Sequence, residues 1–299
     1  MAKNKVHVTK EEKGKKTALM TQTETFAMFE KLSKDIKDAA VHLTDQEARY
    51  LVDTYYQFQD YRIRSMNQCR KLDTDDSEPT STVLFFASQF SILENQMKAV
   101  LESYVKSKPI GRWLLAQKGI GPVIAAGLLA HIDIHKVQTA GQIQAYAGLD
   151  PTKKWEKGQL RPWNAKLKVV CWKAGESFVK VSNKEDAVYG KIYKEKKAYY
   201  IEKNESGGFA ERAQEILKEK KFDKNTDAYK AYSEGKLPAA HIDSMAKRFA
   251  VKIFLSHLFT VWYEMENGVP APKPYAEAIL NHAHIIAPPK YEEFVQYMK

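Results

Sequence analysis

The stretch Lys118-Gly119-Ile120-Gly121-Pro122-Val123 sets a cation and two glycines ahead of a proline. The chain has only 14 glycines in 299 residues, so two of them within three positions ask for a reason. Glycine reaches positive φ without a Cβ clash, so Gly119 and Gly121 permit a tight turn. Pro122 suits the first turn of a helix, where its missing N–H would have had no partner anyway. The N–H groups of Gly121, Val123 and Ile124 would then open a helix whose dipole is positive at that end. Such an end holds an anion, and Lys118 adds a charge beside it, so the chemistry on offer is phosphate binding. A purely structural turn explains the same glycines and stays open as the plainer account.

A second feature follows directly. Residues 151–200 hold 13 Lys and Arg against 5 Asp and Glu. The counts are 15 and 15 over residues 1–100, 5 and 3 over 101–150, and 14 and 14 over 201–299. Most of the net charge of +10 therefore sits in one fifty-residue block. A local basic block is what a polyanion surface needs, because each neutralised phosphate releases a counterion. A solvated lysine-rich helix face is the alternative. Lys153, Lys154, Lys157, Arg161, Lys166 and Lys168 alternate here with Trp155 and Trp163. Aromatic rings among cations can stack on unpaired bases. Trp155 and Trp163 lie in a stretch without periodicity and are contact candidates, whereas Trp172 and Tyr193 read as core residues of amphipathic helices.

Other chemistry is thinly supplied. Asp150, Glu156, Glu176 and Asp186 lie near the block, but no spacing marks them as a metal-ion set for phosphate chemistry. His282 and His284 stand two apart and would need His241 or His257 to complete a metal site, with no H-x-x-x-H or C-x-x-C to pair with them. Ser256 precedes His257, yet adjacent helix residues point in different directions. No catalytic set, metal or cofactor is expected. Cys69 and Cys171 are too far apart for a metal motif and read as reduced thiols.

The elements that would position these residues are helical. Few segments alternate with period two, and long ones carry apolar residues at i, i+3 and i+4. Thr44 and Glu47 form a capping-box pattern ahead of a helix from about Asp45 to Arg70, with Leu51, Tyr55, Phe58 and Tyr61 along one face. A second long helix ends before Pro109. Short helices flank the glycine turn, a third stops at Gly148, and residues 151–164 form an extended basic loop. Helices resume from Asn164 and again up to the glycines at 207 and 208. The last strong helix carries Met245, Phe249, Ile253, Leu255, Leu258 and Trp262 and stops at Gly268. The tail beyond is expected to pack back on the body. The expected class is all-α. The expected division is a disordered arm at 1–20, a long-helix region at 21–107, a central domain with the basic segment at 108–204, and a C-terminal helical region at 205–299. No apolar run spans a membrane and no signal-peptide core opens the chain, so a cytoplasmic protein is expected.

A helix, a G-x-G turn and a second helix make the helix-hairpin-helix pattern, which holds DNA phosphates without reading bases. The longer stretch "LLAQKGIGPVIAAGLLAHIDIHKVQTAGQIQAYAGLDP" resembles the C-terminal domain of insertion-sequence transposases that carry a RuvC-like N-terminal domain. The matching positions are Gly119, Ile120, Gly121, Ala125, Leu128, Leu129, Ala130, Ile132, Ala145, Tyr146, Gly148, Leu149 and Pro151. The family's "GN..LR" box is met by "WNAKLK", with Asn164 and Leu167 matching and Lys168 in place of arginine. The chain departs where the family has a serine-glycine segment with a nucleophilic serine. Here Trp155, Glu156 and Lys157 stand near that position. Residues 1–107 read as helices and not as a RuvC-like domain. The pattern also resembles phage and bacterial proteins that share this domain alone.

The resemblance implies a DNA-facing domain, with phosphates near Lys118 to Val123 and near the segment after Pro151. The expected function is non-catalytic binding of nucleic acid, DNA rather than RNA, weakly sequence-specific or structure-specific. The expected contacts are Lys118, Gly119, Ile120, Gly121, Val123, Lys153, Lys154, Trp155, Lys157, Arg161, Trp163, Lys166 and Lys168. The resemblance further implies that such hairpins act in pairs on a duplex, which leaves a homodimer open. Two other readings stay open: a nuclease or recombinase derived from a transposase, and a phage-type protein-interaction factor on a sterile hairpin.

Overall fold

The computed structural model describes residues 32–74, 80–273 and 286–295. The arm at 1–20 and the pair His282 and His284 lie outside the described residues. All regular structure among the described residues is helical, with twelve α-helices, two 3-10 turns and no strand. This agrees with the all-α expectation. The chain divides into two compact units, Met1–Ser107 and Lys108–Lys299.

In the first unit, α1 (Lys34–Ala39) and a 3-10 turn (Ala40–His42) lead into two long helices, α2 (Asp45–Thr74) and α3 (Ser81–Lys106). The capping box forms in full. Thr44 N donates to Glu47 Oε2 at 2.8 Å, and Glu47 N donates to Thr44 Oγ1 at 3.3 Å. Two otherwise unpaired N–H groups are satisfied reciprocally, which fixes where α2 starts. The two long helices run antiparallel, as Tyr104 OH reaches Asp45 Oδ1 at one end and Phe58 meets Phe90 further along. Their seam holds a buried carboxylate. Glu94 accepts from Tyr55 OH at 3.0 Å, from Gln59 Nε2 at 3.1 Å, and from Arg62. Burial opposes its ionisation, but these bonds, led by Arg62, outweigh it and hold the carboxyl below the usual range.

The second unit begins with α4 (Pro109–Ala116) and α5 (Pro122–His131), followed by a 3-10 turn at Ile134–Lys136 and α6 (Ala140–Tyr146). Next come α7 (Ala165–Val181), α8 (Val188–Glu205), α9 (Ala210–Glu219) and α10 (Asp227–Ser233). The 29-residue α11 (Ala239–Asn267) and the short α12 (Tyr291–Val295) close the unit. Helix α11 is the common backing: α4, α6, α7 and α8 all pack on it. Seven residues of α5 are buried, from Val123 to Ala130, so it is apolar on every side, as an interior helix must be. At the centre, Trp113 of α4 lies parallel to Phe254 of α11, with centroids 6.3 Å apart. Phe178 and Tyr189 meet Phe254 edge-on from α7 and α8. Each such ring, fully removed from water, contributes about 1.5–3 kcal/mol.

The buried face of α11 is Ile242, Ala246, Ala250, Phe254 and Leu258. The apolar stripe expected from the sequence is offset by one position at Met245, Phe249 and Ile253, which are half-buried. The alanines leave room for neighbouring helices to approach closely, and hydropathy alone undervalues them. A satellite cluster of Ala213, Ile216, Tyr232, Leu237 and Ile242 gives α9 and α10 an apolar anchor. The tail returns to the body as expected. Trp113 Nε1 donates to the Pro289 carbonyl at 3.0 Å, and Tyr291 OH donates to Glu264.

Candidate nucleic-acid interface

The glycine turn is built by α4 ending and α5 starting within a few residues. Gly119 has φ +99°, a conformation that side chains rarely adopt, and a Cβ there would lie 3.1 Å from Phe178 Cδ1. Its carbonyl accepts from Ser177 Oγ at 2.6 Å, tying the turn to α7. Gly121 differs from expectation. Its φ is −93°, and a Cβ would meet nothing within 4 Å. Only Gly119 needs the left-handed region. Gly121 leaves open space at the start of α5.

The N–H groups of Gly121, Val123 and Ile124 have no acceptor among the described residues, as the first turn of a helix leaves them. Ile120 is placed otherwise: its N–H donates to the Gln117 carbonyl at 3.0 Å and its side chain is buried. The Val123 side chain is buried too, so that residue offers only its backbone. Lys118 is exposed and pairs with Asp186 at 3.2 Å. The Lys118 ammonium holds the Asp186 carboxyl below its usual range.

The second part of the site starts at the end of α6. Gly148 has φ +67° and closes that helix, with the Leu149 N–H returning to the Gln144 carbonyl at 2.9 Å. A Cβ at Gly148 would stand 2.8 Å from Trp163 Cγ, so the glycine is what lets the indole lie against the corner. Asn164 is the junction. Its Oδ1 accepts from the Lys166 and Leu167 N–H groups at 3.0 Å each, capping α7. Its Nδ2 donates to Tyr146 OH at 3.0 Å, and its N–H reaches the Tyr146 carbonyl at 2.8 Å. One side chain thus fixes α7 against α6.

Between these anchors runs the exposed loop of residues 151–162. It carries Lys153, Lys154, Lys157 and Arg161, and it is organised by its own contacts. Trp155 Nε1 donates to the Gln159 carbonyl at 2.7 Å, and the Arg161 guanidinium lies 4.8 Å from the Trp155 ring. Lys153, Lys154, Lys157, Arg161 and Lys168 have no carboxylate within ion-pair distance among the described residues.

A cleft of about 270 Å³ opens where this corner faces α7 and α11. It is lined by Lys153, Trp163, Lys168, Trp172, Lys247 and Arg248, over a floor that includes Cys171, Gly175 and Val251. Lys168 Nζ lies 4.4 Å from the centre of Trp163, and Lys247 Nζ lies 4.6 Å from that of Trp172. Trp172 is 52% exposed, which corrects its sequence assignment to the core. Periodicity identifies the face of α7 it occupies, but α11 leaves that part of the face uncovered. Tyr193 is buried as expected, with its hydroxyl on Asp243.

The sequence reading also misses the far wall. Lys247 and Arg248 come from α11, and the only signal for them is a pair of adjacent cations between Ala246 and Ala250 in an otherwise apolar helix. Lys247 is held by Glu176 at 2.6 Å and Asp243 at 2.8 Å. Arg248, like Lys168, has no carboxylate partner among the described residues. Burial, then Arg248 and Arg161 beside it, holds the Lys168 ammonium below the usual lysine range. Burial pushes the Cys171 thiol up to about 12, so it stays protonated and unreactive.

The predicted contacts thus fall into two places. Lys118 to Val123 stand at the turn, whose Gly119 leans on the Ser177 end of α7. Lys153, Trp163 and Lys168 join the cleft near the start of that helix, with Lys154, Trp155, Lys157 and Arg161 on the loop and Lys166 exposed in the first turn. The nine residues from Lys168 to Ser177 put about 13 Å of helix between the two places.

The acids and histidines are engaged separately. Asp150 accepts from Thr152, Glu156 from Gln159, Glu176 from Lys247 and Asp186 from Lys118. No group of three His, Cys, Asp or Glu that could hold a metal exists among the described residues. His241 Nδ1 meets Tyr232 OH and His257 Nδ1 meets Tyr189 OH, both at 3.0 Å. Ser256 bonds to Gln144 and the Lys252 carbonyl, away from His257. No helix of the described residues is long and apolar enough to cross a membrane.

No curated protein and no solved structure matches the chain. The family described as the Transposase IS116/IS110/IS902 family matches residues 111–156. That likeness points to work on DNA, and it ends in the loop where the sequence departs from the family's serine segment. Residues 111–156, from α4 through the glycine turn to the start of the basic loop, are a transposase-type segment.

Proposed function

We propose that the protein binds the phosphate backbone of DNA without cutting it, with weak sequence preference. One observation carries this reading: Lys153, Lys154, Lys157, Arg161 and Lys168 have no carboxylate within ion-pair distance among the described residues, and they stand at and just beyond the end of a transposase-type segment. Unpaired exposed lysines cost self-repulsion, which a polyanion relieves while releasing its own counterions. In this reading Lys153, Lys154, Lys157 and Arg161 follow one strand, with Trp155 beside them and Lys166 and Lys168 extending the track along α7. The N–H groups of Gly121, Val123 and Ile124 hold a further phosphate at the start of α5. Gly119 sets the turn, and Ile120 supports it from the core. Lys118 exchanges Asp186 for that phosphate, an exchange that costs little because the present pair is exposed. None of these contacts touches a base edge, so they position without specifying.

The test is the salt dependence of duplex binding. The triple substitution Lys153→Glu, Lys154→Glu and Lys157→Glu should weaken binding at least tenfold and flatten the slope of log K against log salt by about 3. Undetectable affinity at low salt, or an unchanged slope, overturns the reading. Incubation of linear and branched DNA with Mg²⁺ or Mn²⁺ should leave it intact, and cleavage lost on carboxylate substitution overturns the non-catalytic part.

A further inference from the structure

We propose that the cleft between α7 and α11 receives a single unpaired nucleotide of a DNA strand, its base against Trp172 and its phosphate between Lys168 and Arg248. The inference rests on the DNA reading above and adds which DNA the protein selects.

Size comes first. At about 270 Å³ the cleft lies just under the roughly 300–1,000 Å³ of pockets for drug-sized ligands. That volume suits one nucleotide and excludes a duplex. The lining chemistry is the second ground. Trp172 is half exposed on a helix whose Leu167 and Phe178 are fully buried. An indole left at a concave surface is an unused stacking face, and every base has a π-face to put on it. Lys247 covers one side of that ring and is itself fixed by Glu176 and Asp243, so the ring is held before any ligand arrives.

Charge gives the third. Lys168 and Arg248 line the same cleft and repel one another without a carboxylate between them among the described residues. A phosphate between them relieves that repulsion, and an apolar ligand or a metal cation does not. Across the cleft, Trp163 is pressed on Gly148 and capped by Lys168, which makes it a wall. A base enters only after leaving its stack, and that step costs least for a nucleotide already unpaired. The protein should therefore prefer bulged or gapped DNA to a perfect duplex.

Competition binding on the full chain decides the matter. Four probes are used: a duplex, the same duplex with a one-nucleotide bulge, the same bulge made abasic, and free deoxynucleoside monophosphate. The bulge should bind on the order of tenfold tighter than the duplex, and the abasic bulge should lose that advantage. Trp172→Leu should abolish the bulge preference with duplex affinity held within about twofold, while Trp172→Phe keeps most of it. Trp172 is exposed, and a thermal melt checks that both variants fold. Equal affinity for bulge and duplex, with duplex binding intact, overturns the pocket and leaves the backbone reading standing. A bulge preference that survives Trp172→Leu, or that the abasic bulge retains, also overturns it. Free nucleotide displacing the bulge at equal concentration overturns the assignment to a strand. If no probe binds, both readings fall together.

Discussion

The glycine turn and the α7–α11 cleft both offer positive charge, but in different states. At the turn Gly119 is wedged on Phe178 and bonded by Ser177, and Lys118 already holds Asp186. In the cleft Lys168 and Arg248 line the same space with no carboxylate partner for either among the described residues, and Trp172 keeps half its surface in water. The turn therefore serves the fold first and a ligand second, through three N–H groups and a lysine that must first give up Asp186. The cleft contributes little to the fold that a smaller, neutral set of side chains would not supply. Substitutions at the two places should separate stability from binding.

The largest expected effect strikes the helix that backs both. His257 lies in α11 with Nε2 on the Ile286 carbonyl at 2.7 Å, so Nε2 carries the proton and Nδ1 accepts from Tyr189 OH. Burial, opposed by the Ile286 bond, lowers its pKa from 6.5 to about 4. Between those values the unfolded chain binds a proton that the folded chain refuses. Stability should fall as the pH drops from about 6.5 through about 4, by up to about 3 kcal/mol, and level off below. Denaturant titrations across that range check it, and His257→Phe should flatten the dependence.

Next comes Gly119→Ala, which meets both a forbidden φ and Phe178. It should cost roughly 1–3 kcal/mol in urea unfolding, with DNA affinity at low temperature little changed. Gly148→Ala should cost about 1–2 kcal/mol from its φ alone and also displace Trp163, impairing the cleft as well as the fold. Gly121→Ala should change stability by less than about 0.5 kcal/mol, because its backbone is extended and its surroundings are open. A loss at Gly121 equal to that at Gly119 breaks the comparison. The smallest effect sharpens it. Lys168→Gln should raise the unfolding midpoint slightly, by removing repulsion from Arg248 and Arg161, while weakening DNA binding.

Helix ends were the most legible part of this chain. Thr44 with Glu47, Pro109, Pro122 and Gly268 are local signals, and local signals survive folding. The faces were less legible. On α11 two of the buried positions, Ala246 and Ala250, are alanines, whose value lies in close approach and not in hydropathy. Trp172 reads inward from the sequence because a large apolar residue at helical spacing reads as core unless the neighbouring helix is known to stop short. Lys247 and Arg248 could not be tied to the basic block because they join it only through the packing of α11 on α7. Gly121 illustrates the opposite limit: a glycine in a turn suggests a positive φ, and here the need is for empty space.

The segment that matches the transposase family completes its packing only with residues far along the chain. Trp113 finds the acceptor for its indole N–H 176 residues later, and Gln144 finds Ser256 after 112. During synthesis the α4–α5 hairpin leaves the ribosome with its inner face bare and waits for α11 and then the tail to cover it. Such distant closures come late in folding and leave apolar surface exposed meanwhile. Truncation ahead of α11 should yield an aggregating fragment in place of a small DNA-binding module.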